Sequence, residues 1–127
     1  MEVYQKGTFL KSYKVALGHE PKGAKHFQGD MRTPEGIYFI NAKNPNSAYH
    51  KNLGISYPAA KDRVYAVSRH KSPGGDIKIH GLPRGQKNVG AAHIKTDWTW
   101  GCIALTNDEI DELFEHVPIG TVVNILP

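Results

Sequence analysis

Two periodicities stand out along the 127-residue chain. In Asp76-Ile77-Lys78-Ile79-His80, polar and apolar residues alternate strictly. That is the period of a strand, and it sets Ile77 and Ile79 on one face and Lys78 and His80 on the other. With the isoleucines in the core, His80 points away from that core at the strand's end, just before Gly81 and a loop. Ile110, Leu113, Phe114 and Val117 recur at the spacing of one helical face. Thr106-Asn107-Asp108-Glu109 reads as the capping box that starts this helix, and Pro118-Ile119-Gly120 as its stop. Thr121 to Leu126 is then a closing strand.

The remaining pattern is weaker. Val3 and Tyr4, a Lys6-Gly7 turn, and Phe9, Tyr13, Val15 and Leu17 predict a hairpin over residues 1–17. Gly18 to Arg32 is a loop, and Thr33-Pro34-Glu35-Gly36 is a turn that delivers the strand Ile37-Tyr38-Phe39-Ile40. Asn41 to Lys61, rich in Asn, Pro and Tyr, reads as a surface loop or short irregular helix. Val64 to Val67 reads as a short strand or helical turn, 82–101 as a loop, and Cys102 to Leu105 as a short apolar run. The order is mainly β with one clear helix, in a single domain over residues 1–127. No apolar run reaches membrane-spanning length, and Met1 to Lys6 carries no export-signal pattern.

Charge and cysteine content narrow the chemistry. The net charge is +4, which suits anionic polymers in general. The lysines and arginines are scattered, without a basic helix or an aromatic-interleaved motif, so nucleic acid is not an expected partner. A single cysteine, Cys102, excludes an intrachain disulfide. It lies between Gly101 and the capped helix, where a helix N-terminus would lower its pKa; the alternative is a small buried hydrophobe. A thiol nucleophile needs a base, an orienting group and oxyanion donors. His80 is the best base in the chain, the Gly81 carbonyl is a candidate to orient it, and the Gly101 and Cys102 N–H groups are candidate donors. A nearby thiolate would hold His80 as imidazolium.

The other histidines compete for that role. His93 lies in the same loop as Cys102 and is a candidate substrate-positioning group, whereas His19, His26, His50, His70 and His116 sit in polar contexts that read as surface. Trp98 and Trp100 bracket the turn, either packed beneath it or walling a cleft. A rival reading makes His80, His93 and Cys102 ligands of a metal, although no short ligand pair such as H-x-x-x-H is present.

At these residues the chain resembles the L,D-transpeptidase catalytic domain, or YkuD domain, family. The resemblance rests on Ile79-His80-Gly81 followed by Thr99-Trp100-Gly101-Cys102-Ile103, a capped helix and a final strand. Gly29-Asp30-x-x-Thr33-Pro34-Glu35-Gly36-Ile37-Tyr38 is similar to a family segment, and Asn52 to Pro58 resembles a loop of its Gram-negative murein branch. Relative to that family the chain begins at what would be the second strand.

The resemblance implies a β-sandwich or barrel-like domain with a helix after the cysteine, and no metal or cofactor. It implies Cys102 as acyl-accepting nucleophile and His80 as base, with Gly81 and Gly101 completing the catalytic set. His93, Thr99, Trp100, Arg84 and Tyr57 are the residues expected to bind substrate. The implied substrate is the tetrapeptide stem of peptidoglycan, attacked at the L-centre of meso-diaminopimelate with release of D-alanine, in the periplasm or cell envelope. The acceptor would be another stem, a D-amino acid or an envelope lipoprotein; water would make the protein a carboxypeptidase. Two positions depart from the family: Trp100 stands where a second histidine is common, and Ala104 where arginine is frequent. Both departures also fit a wall-binding module without catalysis.

Overall fold

The computed structural model describes residues 1–127, the side chain of Lys87 excepted. Lys6 and Gly7 take φ of 49° and 78°, the left-handed pair that a tight hairpin turn needs, and join β1 (Glu2–Gln5) to β2 (Thr8–Ser12). The other strands are β3 (Gly36–Ser47), β4 (His50–Ile55), β5 (Lys78–His80), β6 (Ile103–Ala104) and β7 (Val122–Ile125). They form one sheet in the order β6-β5-β4-β3-β7, antiparallel except for the β5–β6 pair. The β6 edge does not stay open. Ala16 and Ala104 exchange backbone hydrogen bonds at 3.1 and 2.9 Å, and His19 donates to Thr99 at 3.0 Å, so the segment after β2 closes over it. This curls the mainly β domain.

The segment Asn41 to Lys61 corrects the expected loop. It holds the second half of β3, a turn at Ala48-Tyr49, all of β4 and the start of helix α1 (Ala60–Val67). Pro45, which argued against a strand, lies where the β3–β4 register slips between Asn44 and Ser47, and such an irregularity tolerates a residue without an N–H. β4 hid its pattern because Asn52, Leu53, Gly54 and Ile55 are all buried, leaving no alternation to read. Val64 to Val67 belongs to α1; the Asp62 carboxylate accepts from the Ala59 N–H at 2.8 Å and so caps the helix start.

The loop after β5 contains a 3-10 segment (Lys87–Lys95) interrupted at Gly90. The capping box forms at the start of helix α2 (Asn107–His116). Thr106 Oγ1 accepts from the Glu109 N–H at 3.3 Å, and the Glu109 carboxylate accepts from the Thr106 N–H at 3.0 Å. Ile110 and Leu113 of α2 are buried with Ile40 of β3, Leu53 of β4 and Ile79 of β5. Each such side chain contributes about 1.5–3 kcal/mol relative to exposure. That core fixes β4 and β5, and the opposite face of β5 and β6 carries the site.

Candidate active site

The parallel register pairs Ile79 with Ile103 and His80 with Ala104. Because side chains alternate, Ile79 and Ile103 face the core, and Lys78, His80, Cys102 and Ala104 share the other face. There a cleft of about 420 Å³ is lined by Lys78, His80, Trp98, Thr99, Trp100 and Cys102, with Tyr49, Asn52 and Asp76 completing its walls. The loop from 82 to 101 thus brings together residues 22 apart along the chain because β6 returns to lie beside β5.

His80 is only 5% exposed. Its Nδ1 lies 2.7 Å from the Gly81 carbonyl oxygen, which can only accept, so Nδ1 carries the proton and Nε2 keeps its lone pair. The ring packs against Tyr49 at 4.5 Å and edge-on to Trp98 at 5.8 Å between centroids. Burial holds the His80 pKa below the ordinary histidine value; the Gly81 hydrogen bond opposes this and the His93 charge adds to it. Gly81 has no room for a side chain, since a Cβ would stand 2.6 Å from Asn107 Oδ1 at the head of α2. That same oxygen accepts from the Leu82 N–H at 2.9 Å, locking the strand end to the helix.

The environment of Cys102 corrects two expectations. The thiol is not at a helix N-terminus: β6 intervenes and α2 begins at Asn107. Burial pushes its pKa up, as does the Asp76 charge, while the Lys78 backbone N–H and ammonium, and more weakly the Lys25 ammonium, pull it down. Burial thus drives thiol and imidazole alike toward their neutral forms, the opposite direction from a thiolate–imidazolium pair. The Sγ–H donates to the Asp76 carbonyl oxygen at 3.4 Å.

Thr99 and Gly101 build the turn that presents the thiol. The Thr99 hydroxyl donates to the Cys102 carbonyl at 2.7 Å and accepts from the Gly101 N–H at 3.1 Å. The Gly101 N–H is therefore spent and is not an oxyanion donor, whereas the Cys102 N–H carries no hydrogen bond among the described residues. Gly101 has φ of 131°, and a Cβ there would lie 2.5 Å from the Arg32 carbonyl oxygen, so only glycine fits. Thr99 touches the cleft, but its hydroxyl serves the turn.

Trp100 is 77% exposed and lines the cleft with Cys102. It, Cys102 and Asp76 also line a second cleft of about 290 Å³, completed by Lys25, Gln28, Met31 and Gly74. Ala104 is fully buried under its ladder with Ala16, which leaves no space for an arginine there. His93 is buried behind Trp98, accepting from the indole N–H through Nδ1 at 3.4 Å, and does not reach the cleft wall. Trp98 separates it from His80, and among the described residues no three His, Cys, Asp or Glu side chains group as a metal site requires.

Two of the expected substrate-binding residues lie elsewhere. Tyr57 is a core residue, 4% exposed, whose hydroxyl donates to the Pro73 carbonyl at 2.7 Å. Arg84 is solvent-exposed and outside both clefts; its backbone N–H is tied to the Ala48 carbonyl at 3.1 Å, past the end of β5. Sequence reasoning passed over Lys78, Asp76, Tyr49 and Asn52. Lys78 was readable from the alternation that places it beside His80. Asn52 faces His80 only through the β4–β5 register, which no local pattern encodes.

The L,D-transpeptidase catalytic domain (YkuD) family matches residues 1–125. The protein YafK of Escherichia coli strain K12 is 36% identical over 118 residues, which cover 91% of this chain and 39% of YafK. Among solved structures, the helical cell shape determining protein Pgp2 of Campylobacter jejuni superposes with a TM-score of 0.69 at 27% identity, over 97% of this chain and 41% of that one. Bd1075 of Bdellovibrio bacteriovorus gives 0.61 at 25% identity, over 94% and 39%. An L,D-transpeptidase of Mycobacterium smegmatis shares the fold, with a TM-score of 0.62 at 14% identity over 99% and 53%. The chain thus spans about two-fifths of the length of YafK and Pgp2. A match along nearly every residue, joined to a mainly β sheet with a histidine at the end of β5 and a cysteine immediately before the parallel β6, places the chain in the L,D-transpeptidase catalytic domain family.

Proposed function

We propose that this domain transfers an acyl group from a peptidoglycan tetrapeptide stem through a thioester at Cys102. The observation that carries the reading is the convergence of Cys102 and His80, whose Nδ1 is held by the Gly81 carbonyl so that Nε2 is left to act as base, on one cleft of about 420 Å³. Nε2 takes the thiol proton as Sγ attacks the carbonyl carbon at the L-centre of diaminopimelate. The Cys102 N–H faces the oxyanion that forms. Collapse breaks the C–N bond, and the departing D-alanine amine takes the proton back from His80. An amine acceptor then attacks the thioester carbonyl and regenerates the thiol. Trp98 and Trp100 wall the cleft against the stem, with Lys78 placed for one of its carboxylates. Peptidoglycan locates the work in the cell envelope.

Wild-type protein incubated with tetrapeptide muropeptides is expected to release D-alanine, and a carbapenem to add its mass at Cys102. Cys102→Ala should do neither. Wild type that stays unmodified and yields no product would favour a wall-binding module instead.

A further inference from the structure

The thiol sits on a ridge between two clefts, and Asp76 is the one carboxylate on the wall of both. Its surroundings are unusual in three respects. The residue holds φ of 56°, a left-handed conformation that aspartate adopts at some cost. Its side chain is solvent-exposed, and its carboxylate makes no ion pair or hydrogen bond among the described residues. Its backbone carbonyl meets the Cys102 thiol at 3.4 Å, so the side chain leaves from beside the reacting sulfur. The Asp76 charge works against the thiolate, so activating Cys102 does not account for a carboxylate there.

The charges of the second cleft suggest a use. Its lysine, Lys25, is buried with its ammonium donating to Asp30 at 2.9 Å and to the Phe27 carbonyl at 3.0 Å, a neutral pair. Asp76 is left as the unpaired charge of the second cleft, while Lys78, whose ammonium also acts on the thiol, lines only the first. A free carboxylate fits a primary ammonium. We infer that Asp76 is the acceptor-binding residue: its carboxylate, beside Cys102 on the rim of the second cleft, holds the ammonium of the incoming amine. The inference rests on the acyl-transfer reading above.

In the step it serves, the acceptor ammonium gives one proton to His80 Nε2 while Asp76 keeps the amine aligned. The nitrogen lone pair forms the C–N bond, the nitrogen sheds its second proton to solvent as the amide forms, the C–S bond breaks with its electrons on Cys102 Sγ, and His80 returns its proton to that sulfur. Both a free D-amino acid and the side-chain amine of a second stem present this ammonium. The experiment therefore runs two arms with tetrapeptide stem as donor, one with D-methionine and one with a stem peptide as acceptor. Released D-alanine measures acylation, and the ratio of amine product to hydrolysis measures capture by the acceptor.

For Asp76→Asn, released D-alanine normalises out any change in acylation, so the effect is read in acceptor capture alone. The acceptor concentration for half-maximal transfer should rise about tenfold, the loss of one charge-assisted hydrogen bond. Asp76→Glu should recover part of it, which a purely structural role would not. A rise in one arm alone assigns the ammonium to that source. An unchanged partition ratio in both arms overturns the inference, as does wild type that acylates but gives only hydrolysis. Wild type that releases no D-alanine fails at the earlier step and removes the acyl-transfer reading itself.

Discussion

Cys102 and His80 are each drawn by burial toward the neutral form. Opposing this at the sulfur is Lys78, whose backbone N–H and ammonium both favour the thiolate. Lys78→Met should therefore move the alkylation rate of Cys102 by iodoacetamide to higher pH, and Lys78→Arg should restore it in part. A wild-type profile in Lys78→Met would show that the ammonium is not felt at the sulfur. Trp100 bears on substrate instead. A mostly exposed indole on the ridge is apolar surface waiting for a peptide, where a histidine would have offered a second proton carrier.

Among the elements, α2 does more than fill the core. Its cap is set by Thr106 and Glu109, and its first residue, Asn107, holds Leu82 and so the strand end carrying His80. Thr106→Ala removes the side-chain acceptor for the Glu109 N–H and should cost about 1 kcal/mol. In a domain of this size that is a fall in melting temperature of roughly 3–5 °C, measurable by calorimetry. A change below 1 °C would mean that Glu109 or water covers the freed N–H.

The sequence made β5 and α2 readable for one reason: each buries a single face and so writes its period into the chain. β3 and β4 write it less clearly. β3 buries Tyr38 and Ile40, but Ile37 and Phe39 on its other face are apolar although 69% and 50% exposed, so only Ile37 to Ile40 reads as a strand, and β4 is buried on both faces and does not alternate. The same limit applied to the site. His80 and Cys102 were legible from local motifs, but the β5–β6 pairing that joins them is a long-range contact, and the distance of Cys102 from the helix start appears only once β6 forms.

At the scale of the whole molecule, acid stability should fall in two stages with different owners. His80 and His93 are both buried, and burial lowers the pKa of each below the unfolded value of 6.5. A depressed histidine contributes stability that is fully present above the unfolded pKa and is lost as pH falls through the folded one. The first decline therefore begins below about pH 6.5. Burial of Asp30 would raise its pKa, but the backbone N–H groups of Phe27, His26 and Arg32, with Lys25, outweigh this and lower it below 3.8. Asp111, where the hydrogen bonds from Lys51 and His50 outweigh its burial, is likewise lowered. Their contribution is intact above that value and is lost only at more acid pH. Urea unfolding followed from pH 8 to pH 3 should show both declines, and His80→Gln with His93→Gln should flatten the first while leaving the second. If the double variant keeps the wild-type slope between pH 6.5 and 5, charging the buried histidines does not set the first decline.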